Sequence, residues 1–410
     1  MQAWYLCENP YPFVPEDVLK NTDSVRGSLP NRYCDPKIAA QLFEECLDEY
    51  LVCDDVGLNV IGNEHHAGIN CLYGASPVIL GILARQTRRA RILSLGTLVT
   101  VREDPVRVAE EYATADVLSR GRLDIGFVKS GGSEMASGNA NPVGIRERFW
   151  EAIDLITKTL THQDGPFSWE GKYFTHRHIN IWPRPWQQPH PPLWAATGDE
   201  ETAEELGRRG IINAIFLRGP EGTHRAWSAY QRAREQAGLP KAGGDRFAYM
   251  GFTYVGDTDE EGMRVGEKSL WFLNVGAKSA PQYTKFLPGQ LPPQFAPLVY
   301  RTAPAPANPQ TIEVTHVGRS GEETLMQQRV SRAPRAPIRN VNAAQAIAHG
   351  LMFAGNPDTV FRQIMEFREK VGPFEHLILM GRSGFMTHDE AEKGITRFGK
   401  EVLPRLRDVA

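Results

Sequence analysis

Five consecutive residues, Gly62-Asn63-Glu64-His65-His66, follow directly on the apolar run Val56–Ile61. Histidine at the end of a buried strand can give or take a proton, or a hydrogen bond, near neutral pH. Adjacent residues on extended backbone point to opposite sides, so His65 and His66 do not readily share a metal ion. No H-E-x-x-H or comparable spacing supports one either, and no metal site is expected. Two readings stand: His65 as a catalytic or substrate-facing group, and a purely structural histidine pair.

A second segment, Pro192 to Thr202, reads as strand, polar turn and helix start. Unpaired backbone N–H groups at a helix start attract phosphate, and Gly198 lets the backbone come close. Asp199 complicates this, because a carboxylate repels phosphate unless it caps the helix and points away. An ordinary capped helix is the plain alternative. The third segment runs from Asp116 to Gly132 and passes from a helix end through a turn into a strand, then into a glycine-rich loop. There Lys129 offers a cation for phosphate, and Ser130 to Gly132 let a flat ring lie near the backbone. Asp116 and Arg122 are expected to brace the turn.

The elements that must position these groups alternate. Apolar runs at Ala3–Cys7, Val56–Ile61, Ile92–Gly96, Leu123–Val128, Leu193–Ala196, Ile211–Phe216, Phe247–Val255 and His376–Met380 predict strands. Helical patterns lie between them at Ile38–Tyr50, Pro77–Thr87, Pro105–Leu118, Arg146–Thr161, Glu200–Arg209, Thr223–Gln236, Asp259–Leu273 and Pro357–Lys370, with a last helix at Asp389–Arg407. Ser76, Asp104 and Asn356 each precede a proline and read as helix caps, and Gly355 supplies a sharp turn. Short buried strands alternating with helices imply parallel βαβ units, and about eight of them predict an α/β fold closed into a (β/α)8 TIM barrel.

Two stretches break the rhythm. Residues 162–192 form an excursion with a small hairpin over Phe167–Phe174. Residues 275–345 carry eight prolines between Pro281 and Pro309 and read as a lid-like insertion. The expectation is one domain over residues 1–410 that includes both. Trp169, Trp182, Trp186 and Trp194, with Phe286, Phe295 and Tyr300 of the lid, could line an apolar pocket, although aromatics near loops ordinarily plug cores.

A formal net charge of −3 over 410 residues, without blocks of like charge, gives no attraction to nucleic acid or an anionic membrane. No apolar run approaches the roughly 20 residues of a bilayer span, and no signal peptide is evident. The five cysteines all fall within the first 71 residues and contain no C-x-x-C pair. Reduced thiols in a cytoplasm fit that pattern better than a disulfide framework or a zinc knuckle. Rossmann, G-x-S-x-G and Walker patterns are absent.

In order and spacing, GNEHH, LGTLVTVREDPVRVAEEYATADVLSRGRLDIGFVKSGG, RERFWEAIDLI and PHPPLWAATGDEETAEELGRRG resemble the luciferase-like monooxygenase family, and GNPDTVFRQIMEF with HLILM resembles its closing segment. The similarity covers roughly half the chain. It implies a luciferase-like barrel, usually a homodimer, which holds reduced FMN at the carboxyl face and receives it from a separate flavin reductase. By that resemblance His65 matches the catalytic histidine. Thr97 and Leu98 match positions under the flavin ring, where a non-proline cis peptide is common. Lys129 stands for a phosphate-binding arginine, with Ser130 in the loop beside it. Gly198, Asp199 and Thr202 match the phosphate turn, and Ala196 a backbone contact to the ring. Val128 takes the place of a reactive cysteine, Met135 that of an aromatic, and Asp199 that of a frequent serine.

The activity implied is that of an FMN-dependent monooxygenase, in which reduced FMN and O2 form a C4a-peroxide that oxygenates a small, apolar or aromatic substrate. Alternatives are deazaflavin-dependent hydride transfer on the same fold, and a flavin-binding protein without catalysis.

Overall fold

The computed structural model describes residues 1–22, 24–64, 66, 68–141, 144–276, 310–317, 323–330 and 340–409. Its strands are β1 (Gln2–Leu6), β2 (Asn59–Gly62), β3 (Ile92–Thr97), β4 (Leu123–Val128), β5 (Phe167–Glu170), β6 (Thr175–Ile179), β7 (Leu193–Ala196), β8 (Ile212–Phe216), β9 (Phe247–Val255), β10 (Gln310–Val317), β11 (Glu323–Val330), β12 (Met352–Gly355) and β13 (His376–Met380). Eight of them pair in parallel in the order β1-β2-β3-β4-β7-β8-β9-β13, and β13 pairs with β1 to close the barrel. The expected (β/α)8 barrel is therefore present, with helices between successive strands.

Period-two alternation builds its two layers. Trp4, Leu6, Ile61, Leu93, Leu95, Trp194, Ala214, Met250, Ile378 and Met380 belong to the interior cluster. Ala3, Tyr5, Val60, Ile92, Ile125, Ala195, Ile215, Tyr249 and Leu377 pack outward under the helices.

Several boundaries differ from the sequence reading, each for a local reason. The helix begun by Asp35, whose side chain accepts from the Lys37 N–H, runs Pro36–Val56 and stops at Gly57 with φ +85°. Val56 thus ends a helix, and β2 starts at Asn59. Ser76 is the first helical residue rather than a cap, and its buried hydroxyl has no partner. Asp104 and Asn356 do cap their helices. The pattern Asp259–Leu273 divides into an α-helix over Asp259–Glu267, a 3-10 turn over Lys268–Leu270 and a π-turn over Phe272–Gly276. In the last helix Pro404 lacks an N–H to give back, and the turn before it, Phe398–Val402, is π.

β12 was not foreseen. It is four residues long and pairs with the outer end of β9, Met352 opposite Phe252. Gly355 ends it at φ +151°, a backbone conformation open to glycine. The hairpin of the excursion is β5 with β6, reaching Ile179. In the 275–345 insertion β10 pairs antiparallel with β11. Residues 277–309, including Phe286, Phe295 and Tyr300, lie outside the described residues. The excursion itself returns across the N-terminal end of the barrel, where Asp116 accepts from the Gln187 backbone N–H and side-chain amide at 2.8 Å each.

Candidate active site at the C-terminal end of the barrel

The chain segments that leave β1, β2 and β4 meet in a charged network. His66 Nδ1 lies 2.9 Å from Glu134 Oε1, and its Nε2 lies 3.8 Å from Glu8 Oε2. Glu8 also accepts from Asn63 Nδ2 at 2.8 Å, and Arg26 stands 4.0 Å from Glu134. Burial and Arg26 oppose a charged imidazole, yet the two carboxylates outweigh them and raise His66 from 6.5 to about 9. The complement holds for Glu134. Burial resists its charge, but the His66 hydrogen bond and charge, then Arg26, bring it down to about 2. Both partners are ionised at neutral pH. His65 itself lies outside the described residues.

Glu64, buried behind this network, accepts from the Leu98 N–H at 2.8 Å and pairs with Arg102 Nη2 at 2.9 Å. The Leu98 amide is therefore engaged. Thr97 turns its hydroxyl outward, where it accepts from the Tyr112 hydroxyl at 2.7 Å. The non-proline cis peptide of this strand is Leu95–Gly96, two residues before the Thr97–Leu98 pair to which the resemblance pointed.

A second cluster forms where β4 and β7 end. Asp199 caps the helix Glu200–Arg209, accepting from the Thr202 N–H at 3.2 Å and the Thr202 hydroxyl at 2.8 Å. It does not point away from the cations. Its Oδ2 lies 3.5 Å from both Lys129 Nζ and Arg146 Nη2. Burial works against its charge, but Lys129, Arg146 and the Thr202 bonds win and hold Asp199 at about 2. Arg218 packs so closely over Gly198 that a Cβ there would sit 2.5 Å from its Nε. Arg146 also pairs with Glu201. Three cations, Lys129, Arg146 and Arg218, thus meet a turn with three carboxylates; Glu200 is drawn off to Arg225 at 3.4 Å, and the cations face Asp199 and Glu201 beside the helix start, where a phosphate is favoured. Ser130 lies beside it, its hydroxyl 2.7 Å from that of Thr100, and Ala196 ends β7 half-buried.

The structure thus brings Lys129, Ser130, Ala196, Gly198, Asp199 and Thr202 to one end of the barrel, with Thr97 and Leu98 on the neighbouring strand. Sequence reasoning missed Glu8, Arg26, Glu134, Arg146 and Arg218. The rule that singled out the residues after β2 would also have found Glu8 after β1 and Arg218 after β8. Arg146 and Glu134 sit on helices, and only the tertiary fold brings them in.

Of the tryptophans singled out in the sequence, Trp169, Trp182 and Trp194 lie away from this face, whereas Trp271, outside that set, packs beside Gly276 and Gly384. Trp194 is buried at the N-terminal end of the barrel, where its indole donates to Asp124 Oδ2 at 2.8 Å, and Trp4 donates to His376 Nδ1 at 3.2 Å. Trp169 bonds Glu151 on the outer helix layer, and Trp182 is 85% exposed on the excursion. Trp4, Trp169 and Trp194 are held in place by these bonds. Three buried groups, Cys7, Cys46 and Glu49, hold ligand atoms within 4.8 Å of one another in the outer layer. The cation there is Arg382, whose Nε stands 2.8 Å from Glu49. All five cysteines are free thiols.

The barrel, with these charged clusters at its C-terminal end, has the architecture of the (β/α)8 enzymes, whose sites lie at that end. The chain is a member of the luciferase-like monooxygenase family, whose model matches residues 41–373. It is 26% identical over 254 residues to the oxygenase component of the flavin-dependent trigonelline monooxygenase of Acinetobacter baylyi, covering 60% of this chain and 69% of that one. It is 27% identical over 383 residues to an F420-dependent glucose-6-phosphate dehydrogenase of Amycolatopsis mediterranei, covering 90% and 96%. The fold matches the oxygenating constituent of 3,6-diketocamphane monooxygenase of Pseudomonas putida, solved in complex with FMN, with a TM-score of 0.67 over 98% of both chains at 17% identity. Members of the family are oxidoreductases, mostly flavin-dependent monooxygenases and in part F420-dependent dehydrogenases. Among the described residues no helix is long and apolar enough to cross a membrane.

Proposed function

We propose that the chain is the oxygenase of a two-component flavin monooxygenase, binding reduced FMN from a separate reductase and using O2 to oxygenate a small organic substrate. The observation that carries this reading is the convergence of Lys129, Arg146 and Arg218 on the Gly198–Thr202 helix start, whose cations and backbone N–H groups fit a flavin phosphate. When bound, reduced FMN supplies the electrons that activate dioxygen. Lys129, Ser130, Gly198 and Thr202 hold the phosphate, while Thr97, Leu98 and Ala196 form the floor under the ring. Asp199 sits within this set as the helix cap and limits the positive charge. His65 gives a hydrogen bond or proton to the reacting oxygen. His66, kept charged by Glu8 and Glu134, fixes the loop that carries His65. The substrate is read as a small organic molecule, apolar or aromatic.

The test is FMN titration followed by oxygen-electrode and product measurements with reduced FMN. His65→Ala keeps flavin affinity within about twofold but separates oxygen consumption from product by 10-fold or more, a typical share for general acid–base catalysis. Unchanged coupling would remove His65 from the mechanism. Hydride transfer with a deazaflavin is the second reading, favoured by the alignment to the F420-dependent relative over 90% of this chain. Anaerobic turnover with reduced F420, and none with FMN and O2, would select it.

A further inference from the structure

The opposite end of the barrel carries a groove that the flavin reading does not use. It has a volume of about 710 Å³ and lies where the helices Ser76–Gln86 and Pro105–Ser119 end. Arg85, Arg88, Arg120 and Arg122 line it, with no acidic side chain among the lining residues. Arg122 is fixed by neutral acceptors: the Ser119 carbonyl at 2.9 Å, the Ala90 carbonyl at 2.7 Å, the Thr87 hydroxyl at 2.7 Å and the Ala84 carbonyl at 3.0 Å. It thereby saturates the carbonyls of the Ser76–Gln86 helix end, the usual duty of an arginine in such a place. Arg85, Arg88 and Arg120 are exposed, and none of the ion pairs or side-chain hydrogen bonds described here involves their guanidinium groups.

The carboxylates nearby are committed elsewhere. Asp54 accepts from the backbone N–H groups of Arg88, Arg89 and Ala90, Asp116 holds Gln187, and Asp124 holds Arg91 and Trp194. Four guanidinium groups around one groove without a lining acid repel each other, and an anion between them relieves that. An apolar rim adjoins the charge. Leu118, 52% exposed, and Ala84 stand in the groove wall.

We propose that this groove binds a phosphate monoester with a small planar or apolar body, its phosphate among Arg85, Arg88 and Arg120 and its body against Leu118. A volume of this size is that of a ligand pocket. The site is separate from the flavin cradle, since it lies where β3 and β4 begin and Lys129 follows where β4 ends.

The experiment is calorimetric titration of phenyl phosphate into the full chain, with and without saturating FMN. The expected result is one site per chain in both states, no binding of phenol, and at least tenfold weaker binding in the double variant R85S/R88S. Both substitutions are on exposed positions, and the far-ultraviolet spectrum and melting temperature of the double variant verify that it folds. Arg120→Ser is the second variant and weakens binding several-fold on its own. Displacement of FMN by phenyl phosphate, one for one, would assign the binding to the flavin site and overturn the proposal. So would equal affinity in the arginine variants. Binding of poly-glutamate without binding of phenyl phosphate would make the groove a face for an acidic protein, and would equally overturn it.

Discussion

The same eight strands end in opposite chemistry. At the N-terminal end Trp4, Trp194 and His376 pack against each other, with Trp194 and His376 ring centres 4.6 Å apart, and the buried Asp124 beside them is tied to Arg91 and Trp194. At the C-terminal end Glu8, Glu64 and Glu134 are buried and Asp199 is half-buried, each matched by a cation or an N–H. One end excludes water by packing rings, and the other holds charge in place at the cost of desolvating it. Charge of this kind contributes little net stability, because desolvation offsets the Coulomb gain. It does organise a site. The comparison therefore assigns stability to the ring-packed barrel interior at the first end and the proposed flavin chemistry to the second, with the arginine groove outside that interior, at the helix ends.

The most direct way to break that assignment is Trp194→Ala. Removing a fully buried indole is expected to cost about 3–5 kcal/mol in urea unfolding. FMN affinity of the folded fraction should change less than twofold. A large loss of flavin binding at constant fold would mean that the two ends are coupled through the barrel interior.

The two histidines sharpen the contrast through opposite pH slopes. Burial lowers His376 from 6.5 to about 4, with Asp245 opposing weakly. The Trp4 indole N–H can only donate, so His376 Nδ1 accepts and its Nε2 gives a proton to the Asp245 carbonyl at 3.2 Å. A depressed histidine stabilises the fold above the unfolded value of 6.5, and that contribution is lost as pH falls through 4. The loss amounts to about 3 kcal/mol. His66 has the reverse sign. Its contribution is complete below 6.5 and disappears as pH rises through about 9, and solvent access to a quarter of the side chain holds it to about 1 kcal/mol. Urea unfolding from pH 4 to 9 should show both limbs. His376→Phe should flatten the acid limb, and His66→Gln the alkaline one. A steeper alkaline limb than acid limb would contradict the assignment.

How much of this was readable beforehand follows the same division. The barrel was legible because its strands are short apolar runs that alternate in and out, as in Trp4 and Leu6 against Ala3 and Tyr5. The helix starts at Asp104 and Asn356 were legible because a cap followed by proline acts locally. The tryptophans were not, since an indole in a loop-rich segment reads alike whether it plugs a barrel or lines a pocket. Only the β4–β7 register, with Gly126 beside Trp194, places Trp194 next to Asp124 on the strand before it. At the functional end Lys129 and the Gly198–Thr202 turn were visible as a strand-end pattern. Glu134 and Arg146 were not, because each reaches its partner across more than 50 residues of chain.

Lys129→Ala probes the functional end alone. It should weaken FMN binding by about tenfold or more, the loss of one charged phosphate contact worth about 1.5–3 kcal/mol. Stability should move by about 1 kcal/mol or less, the range for one partly buried ion pair. A stability loss as large as that of Trp194→Ala would erase the distinction between the two ends.

The smallest effect is also the most discriminating. Asp199 caps its helix and at the same time occupies the cations that would face a phosphate, so two roles are joined in one carboxylate. Asp199→Asn keeps an oxygen to accept from the Thr202 N–H and removes the charge 3.5 Å from Lys129 and Arg146. Asparagine caps about as well as aspartate, so folding stability should stay within a few tenths of a kcal/mol. Phosphate no longer competes with a carboxylate for the two cations, and FMN affinity should rise by several-fold up to about tenfold, about 1 kcal/mol. Riboflavin, which lacks the phosphate, should bind the two proteins equally. If riboflavin affinity rose as much as FMN affinity, the charge at Asp199 would be acting on the ring and not on the phosphate, and the turn would have to be read as part of the ring site.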